Sequence, residues 1–284
     1  MKTGIDEAPA LIIGGTGKTG SRVVKGLIER GYPVRIGSRN AAVPFDWNLP
    51  ATWRPAVAGT SAVYITYQPD LAVPGAVEAI REFAAVALAE GVSRMVLLSG
   101  RGEPEAEDAE NALIASGADW TVVRASWFMQ NFSETFLLDA LGAGEVALPV
   151  GAVKEPFVDV EDIAAVVVAA LTEPGHSGKL YEVTGPDLLS FEEAVSHIAE
   201  AAGRRIGFRR VAADDYAEAL RKAGVTPEEI SLLLYLFTTV LDGRNASLTD
   251  GVQQALGRAP GGFGDYVART APTGIWAEPE PAVA

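Results

Sequence analysis

The sequence predicts an α/β protein: a Rossmann-like, doubly wound parallel sheet with a small, mainly helical lobe towards the C-terminus. Three observations predict it. Short apolar runs alternate with longer amphipathic ones from Ala10 to Arg124. The short runs are apolar throughout, as strands covered by helices on both faces must be. The first of them feeds directly into Gly14-Gly15-Thr16-Gly17-Lys18-Thr19-Gly20, a glycine-rich turn that opens a helix.

The elements follow in order. Ala10–Ile13 reads as a strand, Lys18–Arg30 as a helix, Val34–Ser38 as a strand and Ala51–Val57 as a short helix. Strand Ala62–Thr66, helix Val73–Glu90, strand Arg94–Leu98, helix Asp108–Ser116 and strand Trp120–Arg124 continue the alternation. Gly31 and Gly91 each stand just past a helix, the C-cap position. Val73, Val77, Ile80, Phe83, Ala84 and Ala87 share one helical stripe, a packing face. Beyond Arg124 the rhythm loosens. Phe157–Val160 reads as a strand, Glu161–Leu171 as a buried helix and Leu180–Val183 as a further strand. Ser190 and Glu193 form a capping box for a helix over Phe191–Ala202. Helices over Asp214–Ala223, Pro227–Thr239, Asp250–Leu256 and Phe263–Ala271 complete the lobe. The expected division is a sheet domain over 1–155, a lobe over 156–276 above the carboxyl ends of the sheet, and a disordered tail over 277–284.

Composition narrows the function classes. With 284 residues, 48% of them hydrophobic and 21% charged, the chain can bury a sizeable core. A net charge of -14 argues against nucleic acid and anionic membranes as partners. There is no cysteine, so disulfides, thiolate nucleophiles and thiolate-bound metals are excluded. His176 and His197 lie in separate segments, and no metal is expected. No apolar run reaches the roughly 18 residues of a membrane span, and Met1–Pro9 carries no apolar leader, so a cytoplasmic protein is expected.

A strand, a glycine-rich turn and a helix N-terminus together cradle a dinucleotide pyrophosphate. Gly14 or Gly15 allows the turn, Gly17 lets the backbone approach the phosphates, and Gly20 lets the helix pack close to the strand. A site selective for NAD places an acid at the end of the second strand. Here that strand ends in Arg35-Ile36-Gly37-Ser38-Arg39-Asn40, with no acid. Arg39 can pair with a 2′-phosphate and Ser38 can add a hydroxyl contact, while Lys18 brings positive charge to the same ribose. NADP is therefore expected, with NAD as the alternative; solvated strand-end charges are the plainer reading of Arg35 and Arg39. Asp46 is placed to meet the adenine edge with Trp47 beside it, although core packing serves equally for Trp47 and Trp53.

Further motifs carry a resemblance. They are Arg94-Met95-Val96-Leu97-Leu98-Ser99, Ser116-Gly117-Ala118-Asp119-Trp120-Thr121-Val122-Val123-Arg124 and Trp127-Phe128-Met129-Gln130-Asn131-Phe132. Pro156-Phe157-Val158-Asp159-Val160-Glu161-Asp162-Ile163, Tyr181-Glu182-Val183-Thr184-Gly185-Pro186, Asp242-Gly243-Arg244-Asn245-Ala246, Thr249-Asp250 and Leu256-Gly257-Arg258 follow. With the glycine turn, these make the chain resemble the NmrA-like atypical short-chain dehydrogenases, especially the reductases grouped with ergot-alkaloid biosynthesis. The likeness runs from the glycine turn to about Ala271. It implies a cofactor domain, a helical substrate lobe and, in the enzymes, hydride transfer from NAD(P)H. Position by position it implies Gly14, Thr16, Gly17, Lys18 and Thr19 at the pyrophosphate, and Ser38 and Arg39 at the adenine ribose. It implies Thr66, Tyr67 and Gln68 in the cofactor groove, Ser99 and Gly100 near the nicotinamide ribose, and Ala125, Ser126 and Trp127 near the nicotinamide.

One departure matters. Ordinary short-chain dehydrogenases protonate the product with a tyrosine whose pKa is lowered by a lysine four residues on. None of the 7 tyrosines here has that lysine. The expected chemistry is hydride transfer to an acceptor needing little acid catalysis, a quinone or an iminium ion, where proximity and orientation carry the rate. A hydroquinone product reacting with oxygen would suit aromatic polyketide tailoring. Ser99 and Arg101 are the candidates for steadying an oxyanion, with a solvated loop charge the plainer reading of Arg101. Trp127, Phe128 and Asn131 are expected to shape a pocket for a small aromatic substrate, closed by Tyr235 and Phe237; core packing is the alternative. The apolar Leu232–Phe237 run serves equally as a homodimer contact. Two other functions remain open at this point: a non-catalytic NAD(P) redox sensor, and a cyclase or isomerase using the dinucleotide as scaffold.

Overall fold

The computed structural model describes residues 8–135 and 137–278. Residues 1–7 and, from the tail expected over 277–284, residues 279–284 lie outside the described residues. Two compact units emerge, one over 8–125, 160–183 and 250–259, the other over 126–159, 184–249 and 260–278. The chain crosses between them repeatedly, so a single boundary at 155 does not describe its path.

The first unit holds β1 (Ala10–Ile13), α1 (Lys18–Glu29), β2 (Val34–Gly37), α2 (Trp53–Val57) and β3 (Ala62–Ile65). It continues with α3 (Ala76–Ala89), β4 (Arg94–Gly100), α4 (Pro104–Ile114) and β5 (Asp119–Ala125). The sheet is wholly parallel, in the order β2-β1-β3-β4-β5 and then the late strand over Lys179–Val183. Alternate residues face opposite sides of a strand. Leu11, Ile13, Val63, Ile65, Met95 and Leu97 enter one core with Phe45, Trp53, Ile80 and Phe83. The residues between them, Ile12, Tyr64 and Val96, are equally buried, so both faces are covered. Sequence order reverses around β1, which makes the carboxyl ends of β1 and β3 the switch point where such sheets bind ligands.

The second unit contributes α5 (Leu137–Ala143) and β6 (Glu145–Leu148). The chain then gives the first unit α6 (Val160–Thr172) and β7 (Lys179–Val183) before returning as α7 (Phe191–Ala202) and β8 (Gly207–Arg210). Helices α8 (Ala213–Lys222) and α9 (Pro227–Tyr235) follow; α10 (Gly251–Leu256) belongs to the first unit and α11 (Phe263–Thr270) to the second. Phe132, Phe157, Phe191, Phe263, Tyr266 and Trp276 form much of its core. Several meet edge-to-face, such as Phe157 and Phe191 at 5.1 Å between centroids, a geometry the ring quadrupoles favour. The capping box is present: Glu193 N donates to Ser190 Oγ at 3.1 Å and Ser190 N to Glu193 Oε2 at 2.7 Å.

Three expectations are corrected. Phe157–Val160 is no strand: Val158 makes one bridge to Phe128, its N–H donating to Trp127 O and its carbonyl accepting from Met129 N, and Val160 already opens α6. The helix expected over Pro227–Thr239 ends at Tyr235 and widens into a π turn, closed by Leu241 N donating to Leu236 O. The parallel pair β6 and β8 has no sequence signal, because Gly207-Phe208-Arg209-Arg210 shows no apolar alternation. Among the described residues no helix is long and apolar enough to cross a membrane.

Candidate functional site

The glycine turn is built as its residues dictate. Gly14 has φ 68°, and Thr66 Oγ1 fills the space its Cβ would need while donating to Ile13 O at 3.0 Å. Gly14 N donates to Gly37 O and Gly17 N to Gly14 O, each at 2.8 Å. Gly20 packs so tightly on the turn that a Cβ there would stand 2.7 Å from Gly14 C and 2.8 Å from Gly15 Cα. Gly17 caps α1 without any side-chain bond, and Thr16 and Gly17 are exposed at that helix N-terminus. Lys18 is half-buried. Thr19 is buried beside Tyr64, whose hydroxyl pKa is raised by its own burial.

At the end of β2 the two arginines separate. Arg35 Nη1 donates to the carbonyls of Ala56 and Ala58 at 2.8 and 2.7 Å, tying down the end of α2. Arg39 is exposed and no described residue pairs with it. Ser38 uses its carbonyl to hold Ala41 N and Phe45 N and leaves its hydroxyl unengaged among the described residues. Asp46 turns back on its own loop, Oδ1 accepting from Asn48 N at 2.9 Å, and so builds a turn rather than reaching for an adenine. Trp47 and Trp53 belong to the core. Trp47 packs against Phe45, Trp53, Tyr67 and Phe83, and its Nε1 donates to Thr66 O at 2.9 Å. Tyr67 is half-buried on Trp47, with its hydroxyl pKa raised by burial, and Gln68 is exposed.

The ends of β4 and β5 overturn the expected catalytic pair. Ser99 Oγ donates to Glu110 Oε1 at 2.5 Å. Glu110 also receives Arg124 Nε at 2.9 Å and Nη2 at 2.5 Å, and Glu182 sits 3.2 Å from Arg124 Nη1. Arg101 is buried with its Nε 3.5 Å from Glu182 Oε2. Ser99 and Arg101 are thus members of one buried ion-pair network, and neither stands free to steady an oxyanion. Gly100 ends β4, and Ala125, the buried last residue of β5, accepts from Arg101 N at 3.0 Å.

Sequence reading missed Glu103, in the turn between β4 and α4. Its carboxyl is buried and fills the space a Cβ on Gly100 would need. Burial first, then the charge and hydrogen bond of Asp70 and the charge of Glu105, push it up to about 9. Its only sequence signal is position, just past a strand end.

In the second unit the Ser126 hydroxyl is buried without a partner among the described residues. Trp127 lies 5.0 Å from Phe237, tilted by 32°, and edge-on to Phe191 at 5.4 Å. Tyr216 meets the edge of Phe237 at 5.8 Å, and burial pushes its hydroxyl up to about 12. Phe128 is half-buried at its bridge to Val158, with its carbonyl accepting from Asn131 N at 3.1 Å. Tyr235 is half-buried at the end of α9.

Residues 14–174 match a family described as NAD(P)H-binding, and residues 105–255 match the NmrA-like family. The chain is 32% identical over 286 residues to the (4-alkanoyl-5-oxo-2,5-dihydrofuran-3-yl)methyl phosphate reductase of Streptomyces griseus, covering 92% of this chain and 97% of that one. It is 30% identical to agroclavine dehydrogenase of Claviceps fusiformis, over 90% of this chain and 95% of that one. Its fold is similar to that of an NADPH-dependent quinone oxidoreductase of Escherichia coli solved with NADPH. The TM-score is 0.77 at 20% identity, covering 92% of this chain and 99% of that one.

Proposed function

The chain belongs to the NmrA-like family of NAD(P)H-binding proteins, and from that premise we propose an NADPH-dependent reductase acting on an easily reduced aromatic acceptor, a quinone or an iminium ion. The observation that carries this reading is the cradle at the switch point. Gly14 and Gly20 leave no room for a Cβ, while Ser38 and Arg39 stand unengaged at the neighbouring strand end. These residues fit a nicotinamide dinucleotide. The backbone from Gly14 to Thr19 holds the pyrophosphate, with the Lys18 charge beside it. Arg39 and Ser38 hold the 2′-phosphate. Thr66, Tyr67 and Gln68 edge the groove. When bound, NADPH supplies a hydride. In the second unit the half-buried Trp127, Phe128, Asn131 and Tyr235 are the candidates to meet a flat acceptor, although Trp127 packs on Phe237 and Phe191. The similar proteins named above include a reductase, a dehydrogenase and a quinone oxidoreductase, which supports the reaction class.

Anaerobic mixing with NADPH and a quinone tests the reading, through loss of the reduced-nicotinamide absorbance. Arg39→Ala is expected to raise KM for NADPH by roughly 10- to 100-fold and to leave NADH use nearly unchanged, the loss of one charge-assisted contact. Turnover with NADH alone would overturn the NADP assignment. Tight NADPH binding without turnover of either acceptor class would overturn the reductase and favour the redox sensor.

A further inference from the structure

We propose that Trp47 is a positioning residue for cofactor selection. Its indole N–H, bonded to the Thr66 carbonyl, holds the loop that presents Ser38 and Arg39 to the 2′-phosphate of NADPH. This role rests on the reading of Ser38 and Arg39 given above, and all of its parts lie in the first unit.

The Arg39 side chain is exposed and unengaged among the described residues, so it does not itself fix where its charge stands. That place is set by the backbone of the loop from Ser38 to Leu49, which follows β2 and carries no helix or strand. Hydrogen bonds give the loop its shape instead. At its entrance Gly14 N donates to Gly37 O at 2.8 Å. Inside it, Ala41 N and Phe45 N donate to Ser38 O at 3.2 and 3.0 Å. Further on, Trp53 Nε1 donates to Asp46 O at 2.9 Å and keeps the loop on α2. The Trp47 bond, also 2.9 Å, carries the loop across to the end of β3.

Thr66 faces two ways there. Its carbonyl accepts the indole N–H, while its hydroxyl donates to Ile13 O and occupies the space beside Gly14. One residue thereby joins the 2′-phosphate loop to the pyrophosphate turn. The Trp47 ring packs among Phe45, Trp53, Tyr67 and Phe83. A phenylalanine would serve that packing; what the indole adds is a donor, and the donor goes to the carbonyl next to the cofactor turn. A loop that holds Arg39 in place in only a fraction of molecules binds NADPH more weakly by that fraction. NADH has no 2′-phosphate and does not feel the loss.

Trp47→Phe keeps an aromatic ring and removes the donor. Calorimetric titration without any acceptor is expected to show NADPH weakened by about tenfold, and NADH by less than about twofold. In an Arg39→Ala background the same substitution is expected to change NADPH affinity by less than about twofold, because the contact it positions has gone. A second measurement uses wild type alone. Coupling is reciprocal, so NADP⁺ must favour the closed loop that favours NADP⁺. Solvent exchange of the Trp47 indole N–H, followed by NMR, is expected to slow by at least about tenfold with saturating NADP⁺ and far less with NAD⁺. Wild-type NADPH affinity in Trp47→Phe, equal weakening of NADPH and NADH, a tenfold loss retained in the Arg39→Ala background, or exchange indifferent to NADP⁺ would each overturn the proposal. NADPH bound by Arg39→Ala as tightly as by wild type would overturn the 2′-phosphate reading along with it.

Discussion

Replacing Glu110 by alanine is expected to cost about 3–5 kcal/mol of stability, the usual penalty for removing one partner of a buried ion pair. Glu110 is 2% exposed and receives Ser99 Oγ and two nitrogens of Arg124. Its removal leaves the Arg124 guanidinium, already out of water, with the more exposed Glu182 and Glu107 alone. Ser99 loses its acceptor at the same time. At this chain length the loss corresponds to a Tm lower by roughly 10 °C. Thermal and urea unfolding of the variant measure it directly. Stability equal to wild type would show that the network is dispensable, and would free Ser99 for the catalytic role that its place at a strand end suggests.

Much of the first unit is legible in the sequence, because a strand buried on both faces must be apolar at every position, as Ala62–Ile65 is. The Ser190 capping box is legible for a similarly local reason: both of its bonds lie within four residues. What depends on pairing between distant segments is not. Ser99 looks like a free hydroxyl until the register of β4 on β5 sets it opposite Arg124 and α4 brings Glu110 over both. Arg35 and Arg39 look alike in the chain, and only the position of the α2 carbonyls separates a structural arginine from an unengaged one. Glu103 gains its character from Asp70, which belongs to a different loop, and no local pattern announces that meeting. In the sequence Trp47 and Trp53 suit core and ligand equally, and the packing of Phe45 and Phe83 around them decides for core. The cofactor candidates are local to one turn, whereas the proton-bearing candidates depend on tertiary pairing.

Gly20→Ala should abolish tight cofactor binding, weakening NADPH by at least about 100-fold, with a stability loss of about 1–3 kcal/mol for the overpacked methyl. The reason lies in what the new Cβ would strike. It would overlap the Gly14 carbonyl oxygen and stand within 2.8 Å of Gly15 Cα, all backbone of the turn itself. A flexible side chain could swing aside, but these atoms can only move by opening the turn or tilting α1. Either motion misaligns the N–H groups on which the pyrophosphate rests. Gly17 supplies the control within the same motif: a Cβ there would meet only Gly14 O, at 3.3 Å, and a shift of a few tenths of an ångström relieves it. Gly17→Ala should therefore cost far less stability than Gly20→Ala, while its methyl still stands where the backbone approaches the phosphates. Fluorescence titration with NADPH, alongside thermal unfolding of both variants, separates the two. Wild-type affinity in Gly20→Ala would mean that the helix does not need its close approach to the strand, and that the pyrophosphate is held elsewhere.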